Sequence, residues 1–333
     1  MLAWYDVHHR NLPWRVGPAD RKRGIRPDPY RVWLSEVMLQ QTTVAAVTSY
    51  FEAFTAKWSR VEALAAAPAE DVMAAWAGLG YYSRARNLHA CAKMVAERGG
   101  FPETAAELQT LPGIGPYTAA AIAAIVYDEP ATVMDGNVER VMARRFAETA
   151  PLPGVKEELR AHAARLTPPS RPGDYAQAVM DLGATICTPR RPACAICPWR
   201  PGCQGFEEGI AATLPRKAPK KAKPVRHGTV YVARTGSSVL TVRRPDRGLL
   251  GGMLALPTTD WTEGETAHRP PFHADWREIG EVRHTFTHFH LRLAVMAAML
   301  PQERAGTMPA EQAESAMPTV FAKALRLTKN VSQ

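Results

Sequence analysis

From Tyr30 to about Gly209, Ala, Leu, Val and Met recur at helical spacing. The run is broken at Gly78-Leu79-Gly80, Gly99-Gly100, Leu111-Pro112-Gly113 and Pro151-Leu152-Pro153-Gly154. This pattern predicts a bundle of short helices. From Leu214 to Pro224, prolines and basic residues replace every core former, as in an exposed linker. The period then changes to two, and Thr229–Ala233, Ser238–Val242 and His288–Leu293 read as strands of an α+β domain. The expected organisation is a helical domain over 1–212, a basic Pro-rich linker over 213–226 and an α+β domain over 227–333. No internal repeat is visible, and Ala-rich stretches such as Ala63–Ala67 are helix formers.

A chain of 333 residues has room for two or three domains, and 46% hydrophobic with 22% charged residues is an ordinary soluble composition. Lys and Arg number 41 against 32 Asp and Glu, a net charge of +9, which favours a polyanionic partner such as nucleic acid. The opening MLAWYDVHHRNLPWR lacks the apolar run of a signal peptide, and no stretch of about 18 apolar residues follows. A cytoplasmic monomer without a membrane partner is expected.

Four of the five cysteines crowd into one segment as C-x6-C-x2-C-x5-C: Cys187, Cys194, Cys197 and Cys203. That spacing suits metal ligation in a reducing compartment rather than a disulfide framework. Both zinc and a [4Fe-4S] cluster accept four thiolates. Upstream, Leu111-Pro112-Gly113-Ile114-Gly115-Pro116-Tyr117-Thr118 joins two helical stretches as a helix-hairpin-helix. Gly113 and Gly115 permit a tight turn, Pro116 suits a first helical turn, and N–H groups near the helix start are free to meet a DNA phosphate. Asp135 follows in Val133-Met134-Asp135-Gly136-Asn137-Val138, where it also reads as a helix N-cap.

The hairpin with its downstream aspartate, and the cysteine spacing, resemble the endonuclease III superfamily of helix-hairpin-helix DNA glycosylases. Within it, Leu12-Pro13-Trp14-Arg15, Asp28 to Leu34, Ser35-Glu36-Val37-Met38-Leu39-Gln40-Gln41-Thr42 and Gly78 to Leu88 closely resemble the MutY family of adenine DNA glycosylases. The resemblance runs over nearly the whole chain. It implies a mainly α helix-hairpin-helix glycosylase with a [4Fe-4S] cluster loop over 187–203, plus a C-terminal α+β Nudix-like domain that recognises 8-oxoguanine. The implied partner is duplex DNA with an adenine:8-oxoguanine mispair.

The resemblance also assigns roles. Glu36 is the general acid that protonates the leaving adenine, with a pKa expected to be raised by desolvation, and Asp135 stabilises the sugar cation. Tyr117 and Asn137 support them. Trp14, Arg15, Leu39, Val44 and Gln177 surround the flipped base, while Gln41 and Tyr81 fill the gap it leaves. Strand-cutting relatives carry a lysine where this chain has Tyr117, so the implied enzyme is monofunctional.

In the C-terminal third, Leu249 to Pro257 matches a Nudix Gly-Gly turn, but the glutamate-rich metal helix does not follow. Neither diphosphate hydrolysis nor a magnesium site is expected. Phe286, Thr287 and His288 stand where the family senses the oxidised base with Phe-Ser-His; threonine keeps the hydroxyl and adds a methyl. Three nearby histidines suggest zinc less than a strand, since they alternate with aromatics. Residues 16–27, with Arg21, Lys22, Arg23 and Arg26, are longer than the family's usual join and are expected to form a solvated loop, with a phosphate contact as the further reading. The rival readings are an endonuclease III-like lyase, a non-catalytic DNA-binding scaffold and a Nudix-type hydrolase.

Overall fold

A computed structural model describes residues 1–219, 222–245, 248–264 and 268–331. Lys220 and Lys221 of the expected linker, and 246–247, 265–267 and 332–333 of the expected C-terminal domain, lie outside the described residues. The chain forms two compact units, Met1–Pro219 and Lys220–Gln333. Among the described residues no helix is long and apolar enough to cross a membrane.

The first unit is helical, and its centre is the hairpin helix Pro116–Tyr127. Every residue of it from Thr118 to Val126 is buried, and most are alanine. Small side chains let neighbouring backbones come close, and the helices Pro29–Leu39 and Pro172–Thr185 both pack against it. Gly173 shows how close: a Cβ there would stand 2.3 Å from the Ala124 carbonyl oxygen and 2.6 Å from Ile125 Cα. The helix starts are written in the sequence. Asp28 accepts the N–H of Tyr30 before Pro29, and Asp135 accepts those of Asn137 and Val138 before the helix Gly136–Arg145.

Two expectations for this unit are corrected. Residues 16–27 are not simply a solvated loop. They include the short helix Pro18–Lys22, from which Arg21 reaches the Ile125 carbonyl (2.7 Å) and both carboxylate oxygens of Asp128 (2.7 and 2.9 Å). The negative end of the hairpin helix attracts that cation, so the insertion braces the helix from behind. Lys22 and Arg23 stay exposed. Nor is 213–226 exposed throughout. Leu214 is buried in the helical core, Leu152 pairs through its backbone with Arg216 and Ala218 (both 2.9 Å), and a strand begins at Val225. Leu214 is the apolar residue that anchors this passage.

The second unit holds β1 (Val225–Thr235), β2 (Ser238–Leu240), β3 (Val242–Arg243), β4 (Leu254–Ala255), β5 (Arg277–Thr285), β6 (His290–Met299) and β7 (Thr307–Pro309). Five form a sheet in the order β5-β6-β1-β2-β7, with β1 parallel to β6 and the other neighbours antiparallel. β3 and β4 form a separate ribbon. β1 is buried without alternation from Gly228 to Ala233, as befits a central strand covered on both faces. The helices Ala310–Ala316 and Thr319–Leu327 supply Ala313, Phe321 and Leu325 to its core. The strand expected from His288 starts at His290, because Phe286–Phe289 close a hairpin in which the Phe286 N–H donates to the Phe289 carbonyl (2.9 Å).

Candidate active site

A cavity of about 500 Å³ opens in the first unit among the helices Pro29–Leu39, Pro116–Tyr127, Gly136–Arg145 and Pro172–Thr185. Ten of the site residues expected from sequence line it: Trp14, Arg15, Glu36, Leu39, Gln41, Val44, Tyr117, Asp135, Asn137 and Gln177.

Glu36 projects from the helix Pro29–Leu39 and is 7% exposed. Tyr117 Oη donates to its Oε2 at 2.8 Å. Burial pushes the Glu36 pKa up, the Tyr117 hydrogen bond pulls it down, Asp135 raises it and Arg15 lowers it, leaving it at about 7. Such a carboxyl is available in its protonated form near neutral pH. The Tyr117 phenol is pushed well above its ordinary value by burial and by Glu36, so it remains a donor.

Asp135 is held differently. Its Oδ1 accepts the N–H groups of Asn137 (2.9 Å) and Val138 (2.7 Å), and its Oδ2 accepts Asn137 Nδ2 (2.8 Å). Three N–H donors at a helix N-terminus suit a negative carboxylate. Asn137 Oδ1 in turn accepts Arg140 Nη2 at 2.8 Å, and Arg140 also donates to the carbonyls of Gly183 (2.7 Å) and Cys187 (2.8 Å). The helix that Asp135 caps is therefore tied to the start of the cysteine segment.

Several positioning residues were not singled out from the sequence, although Arg84 lies within the Gly78 to Leu88 string. Asp181, fully buried, accepts Arg15 Nη1 at 2.8 Å and the Arg10 N–H at 3.1 Å, which orients Arg15 along the cavity. Its place four residues after Gln177, on the same helix face, was the only available signal. Buried Arg84 donates to the carbonyls of Val37 and Met38 (both 3.1 Å), Gln40 and Leu79 (3.2 Å), and its guanidinium lies 5.3 Å from the Tyr81 ring centre. It thereby joins the two turns that carry Gln41 and Tyr81. Both residues adopt left-handed backbone, with φ of +62° and +48°, a conformation that costs about 1–3 kcal/mol in a non-glycine residue. Tyr81 does not line the cavity and is 54% exposed.

Gly113 and Gly115 also lie outside the cavity, in the turn before the hairpin helix. Gly113 has φ +77°, and a Cβ on it would stand 2.8 Å from Asn87 Cβ. Gly115 precedes the helix in extended form, leaving the N–H groups of the first turn without intrahelical partners.

Cys187, Cys194, Cys197 and Cys203 share a small cavity with Arg144 and Arg200. Arg144 is buried and donates to Cys187 Sγ (3.2 Å) and to the carbonyls of Cys187 (3.1 Å), Thr188 (2.8 Å), Pro189 (3.0 Å) and Leu214 (3.0 Å). Among the described residues no three His, Cys, Asp or Glu side chains converge on one metal ion.

Phe286, Thr287 and His288 belong to the second unit, at the β5–β6 turn. Phe286 stacks on Trp261 at 5.7 Å between ring centres, and its carbonyl accepts Lys223 Nζ at 2.9 Å. Thr287 and His288 are exposed at the tip.

A buried acid and a capped aspartate flank one cavity behind a helix-hairpin-helix, the fold of the base excision DNA glycosylases. Residues 34–169 match the HhH-GPD superfamily of base excision DNA repair proteins, and residues 229–327 match the NUDIX domain. The chain is 36% identical to the human adenine DNA glycosylase over 90% of its own length and 66% of that protein. It is also 36% identical to the mouse adenine DNA glycosylase, over 93% of its own length and 72% of that protein. Among solved structures it resembles a thermostable thymine-DNA glycosylase, with a TM-score of 0.54 and 28% identity over 62% of this chain and 93% of that one. The chain belongs to the adenine DNA glycosylase family.

Proposed function

We propose that this protein hydrolyses the N-glycosidic bond of adenine mispaired with 8-oxoguanine or guanine in duplex DNA, leaves an abasic site and does not cut the strand. The observation that carries this reading is the pairing, in one cavity, of a carboxyl buried to a pKa of about 7 with a carboxylate held by three N–H donors. The two environments divide the labour: Glu36 delivers a proton to the departing purine, and Asp135 faces the positive charge that develops on the sugar. Tyr117 orients Glu36 and Asn137 orients Asp135. Trp14, Arg15, Leu39, Val44 and Gln177 shape the pocket for an extruded base. Gln41 and Tyr81, on turns braced by Arg84, occupy the gap in the stack. Thr287 and His288 read the opposite base.

Among the described residues no lysine lines the cavity, and the resemblance puts Tyr117 at the position from which a lyase would form its Schiff base. Borohydride treatment during turnover is accordingly expected to trap no covalent protein–DNA adduct, which a denaturing gel checks. A trapped adduct at the level of the free abasic product would favour the lyase reading. The hydrolase reading lacks a glutamate-rich metal helix, and a non-catalytic scaffold would not account for the separate environments of Glu36 and Asp135.

The all-thiol donor set of the four cysteines suits a [4Fe-4S] cluster. All four line one small cavity, where Arg144 donates to Cys187 Sγ at 3.2 Å. When bound, the cluster supplies a rigid staple to the loop over 187–203 rather than reacting groups. The purified protein is expected to be brown, with absorbance near roughly 400 nm and about four irons per chain; stoichiometric zinc in a colourless protein would contradict this. Duplex DNA is the proposed partner, and a cytoplasmic monomer is the proposed state.

A further inference from the structure

Arg15 lines the cavity together with Glu36, and its side chain is only 8% exposed. A lone guanidinium in such surroundings is poorly screened and would draw a neighbouring acid toward its ionised form. Its counter-charge is Asp181, fully buried on the helix Pro172–Thr185, behind Arg15 rather than in the cavity wall. Asp181 Oδ2 accepts Arg15 Nη1 at 2.8 Å, and its Oδ1 accepts Arg10 Nε at 2.5 Å.

The two arginines depend on this carboxylate to different degrees. Arg10 is 29% exposed, so water screens part of its charge, whereas Arg15 relies on Asp181. Burial alone would lower the Arg15 pKa; Asp181, followed by Tyr5 and Glu36, raises it above its usual value instead. Tyr5 is also fully buried, is pushed up to about 12 by that burial and stays a neutral phenol, so it adds no charge. Paired with Asp181, Arg15 becomes one end of a dipole, whose field at Glu36 falls off faster than that of a lone cation.

The other groups acting on Glu36 are Tyr117 and Asp135. Arg84, from the helix Ser83–Arg98 packed against the same element, is directed at the Val37 and Met38 carbonyls. Glu36 hydrogen-bonds to Tyr117 and not to Arg15, and Arg15 is the weakest influence on its pKa, after burial, Tyr117 and Asp135. We propose that Asp181 is a positioning residue that holds Arg15 away from Glu36, so that Arg15 can meet the extruded base while the acid keeps its proton. This assignment rests on the proposed role of Glu36.

The test is the pH profile of single-turnover excision by the full chain, at saturating duplex, for wild type and four variants. Asp181→Asn keeps the size and an acceptor oxygen but loses the charge, and its falling limb is expected to move down by about one pH unit. From a wild-type limb near 7, excision then slows about fivefold at pH 7, and the two rates converge toward pH 5. Asp181→Glu keeps the charge and is expected to keep the limb. Arg15→Met moves the limb up, and combining it with Asp181→Asn brings the limb back toward wild type. A residue needed only for folding would lower the rate at every pH and leave the limb in place; that result in Asp181→Asn overturns the proposal. If Asp181→Asn does not fold, the double variant carries the test, because it leaves no guanidinium unpaired in the cavity wall. Recovery of folding with a limb near wild type supports the pairing, and a double variant that also fails to fold overturns it. A wild-type profile without a falling limb near 7 removes the acid and this proposal together, whereas a normal wild-type limb that Asp181→Asn leaves unmoved removes this proposal alone.

Discussion

Glu36→Gln is expected to slow single-turnover excision by about 10²- to 10⁴-fold while leaving affinity for mispaired duplex nearly unchanged. Glutamine has the same shape, and its amide oxygen can still accept the Tyr117 hydroxyl, so the cavity should keep its form. What disappears is the proton. The wild-type pH profile follows from the same geometry. Because the active form is the protonated acid, excision is expected to fall as pH rises through about 7, the value to which burial lifts Glu36. Tyr117 favours the carboxylate by donating to it, so Tyr117→Phe raises the Glu36 pKa further and moves the falling limb upward. Rapid-quench kinetics across pH, with fluorescence anisotropy for binding, measure both effects. Turnover retained in Glu36→Gln would remove Glu36 from the mechanism.

The second large effect is expected at Asp135. Asparagine is an effective N-cap and can still accept the N–H groups of Asn137 and Val138, so Asp135→Asn should fold with little loss of stability. The negative charge proposed to face the sugar is gone, and excision is expected to drop by about 10²- to 10³-fold. Asp135→Ala loses the cap as well, at about 1 kcal/mol of stability. Comparing the two variants by urea unfolding and by single-turnover rate separates capping from charge. Equal rates for wild type and Asp135→Asn would reduce Asp135 to a cap.

The residues proposed to carry chemistry stood out because they sit in short contiguous strings. Ser35 to Thr42, the Gly113–Gly115 turn, Asp135 to Asn137 and the cysteine segment each declare themselves locally. The residues that hold them in place do not. Arg84 reaches back to Val37 and Met38, Asp181 meets Arg10 and Arg15 across some 170 positions, and Arg140 joins Asn137 to the Cys187 carbonyl. Pairings between residues so far apart have no periodic signature. In the C-terminal unit, β1 was visible from its apolar run. β5 was hidden because an edge strand with a solvent face mixes Arg277, Glu278, Glu281 and Arg283 into its pattern. His288 and Phe289 were misread as the start of a strand that begins at His290, since the aromatics of this hairpin pack on Trp261 in a turn as well as they would on a sheet. Arg21, in a segment that read as a solvated loop, braces the hairpin helix because that helix ends in free carbonyls.

The protein is proposed to remove an adenine, without strand cleavage, under instruction from the base opposite. Single-turnover reactions on duplexes carrying adenine opposite 8-oxoguanine, guanine or cytosine, each resolved with and without hot alkali, test it most directly. The expected result is strand breakage only after alkali, fastest opposite 8-oxoguanine, slower opposite guanine and absent opposite cytosine. Breakage without alkali, or equal rates opposite all three bases, would contradict the account.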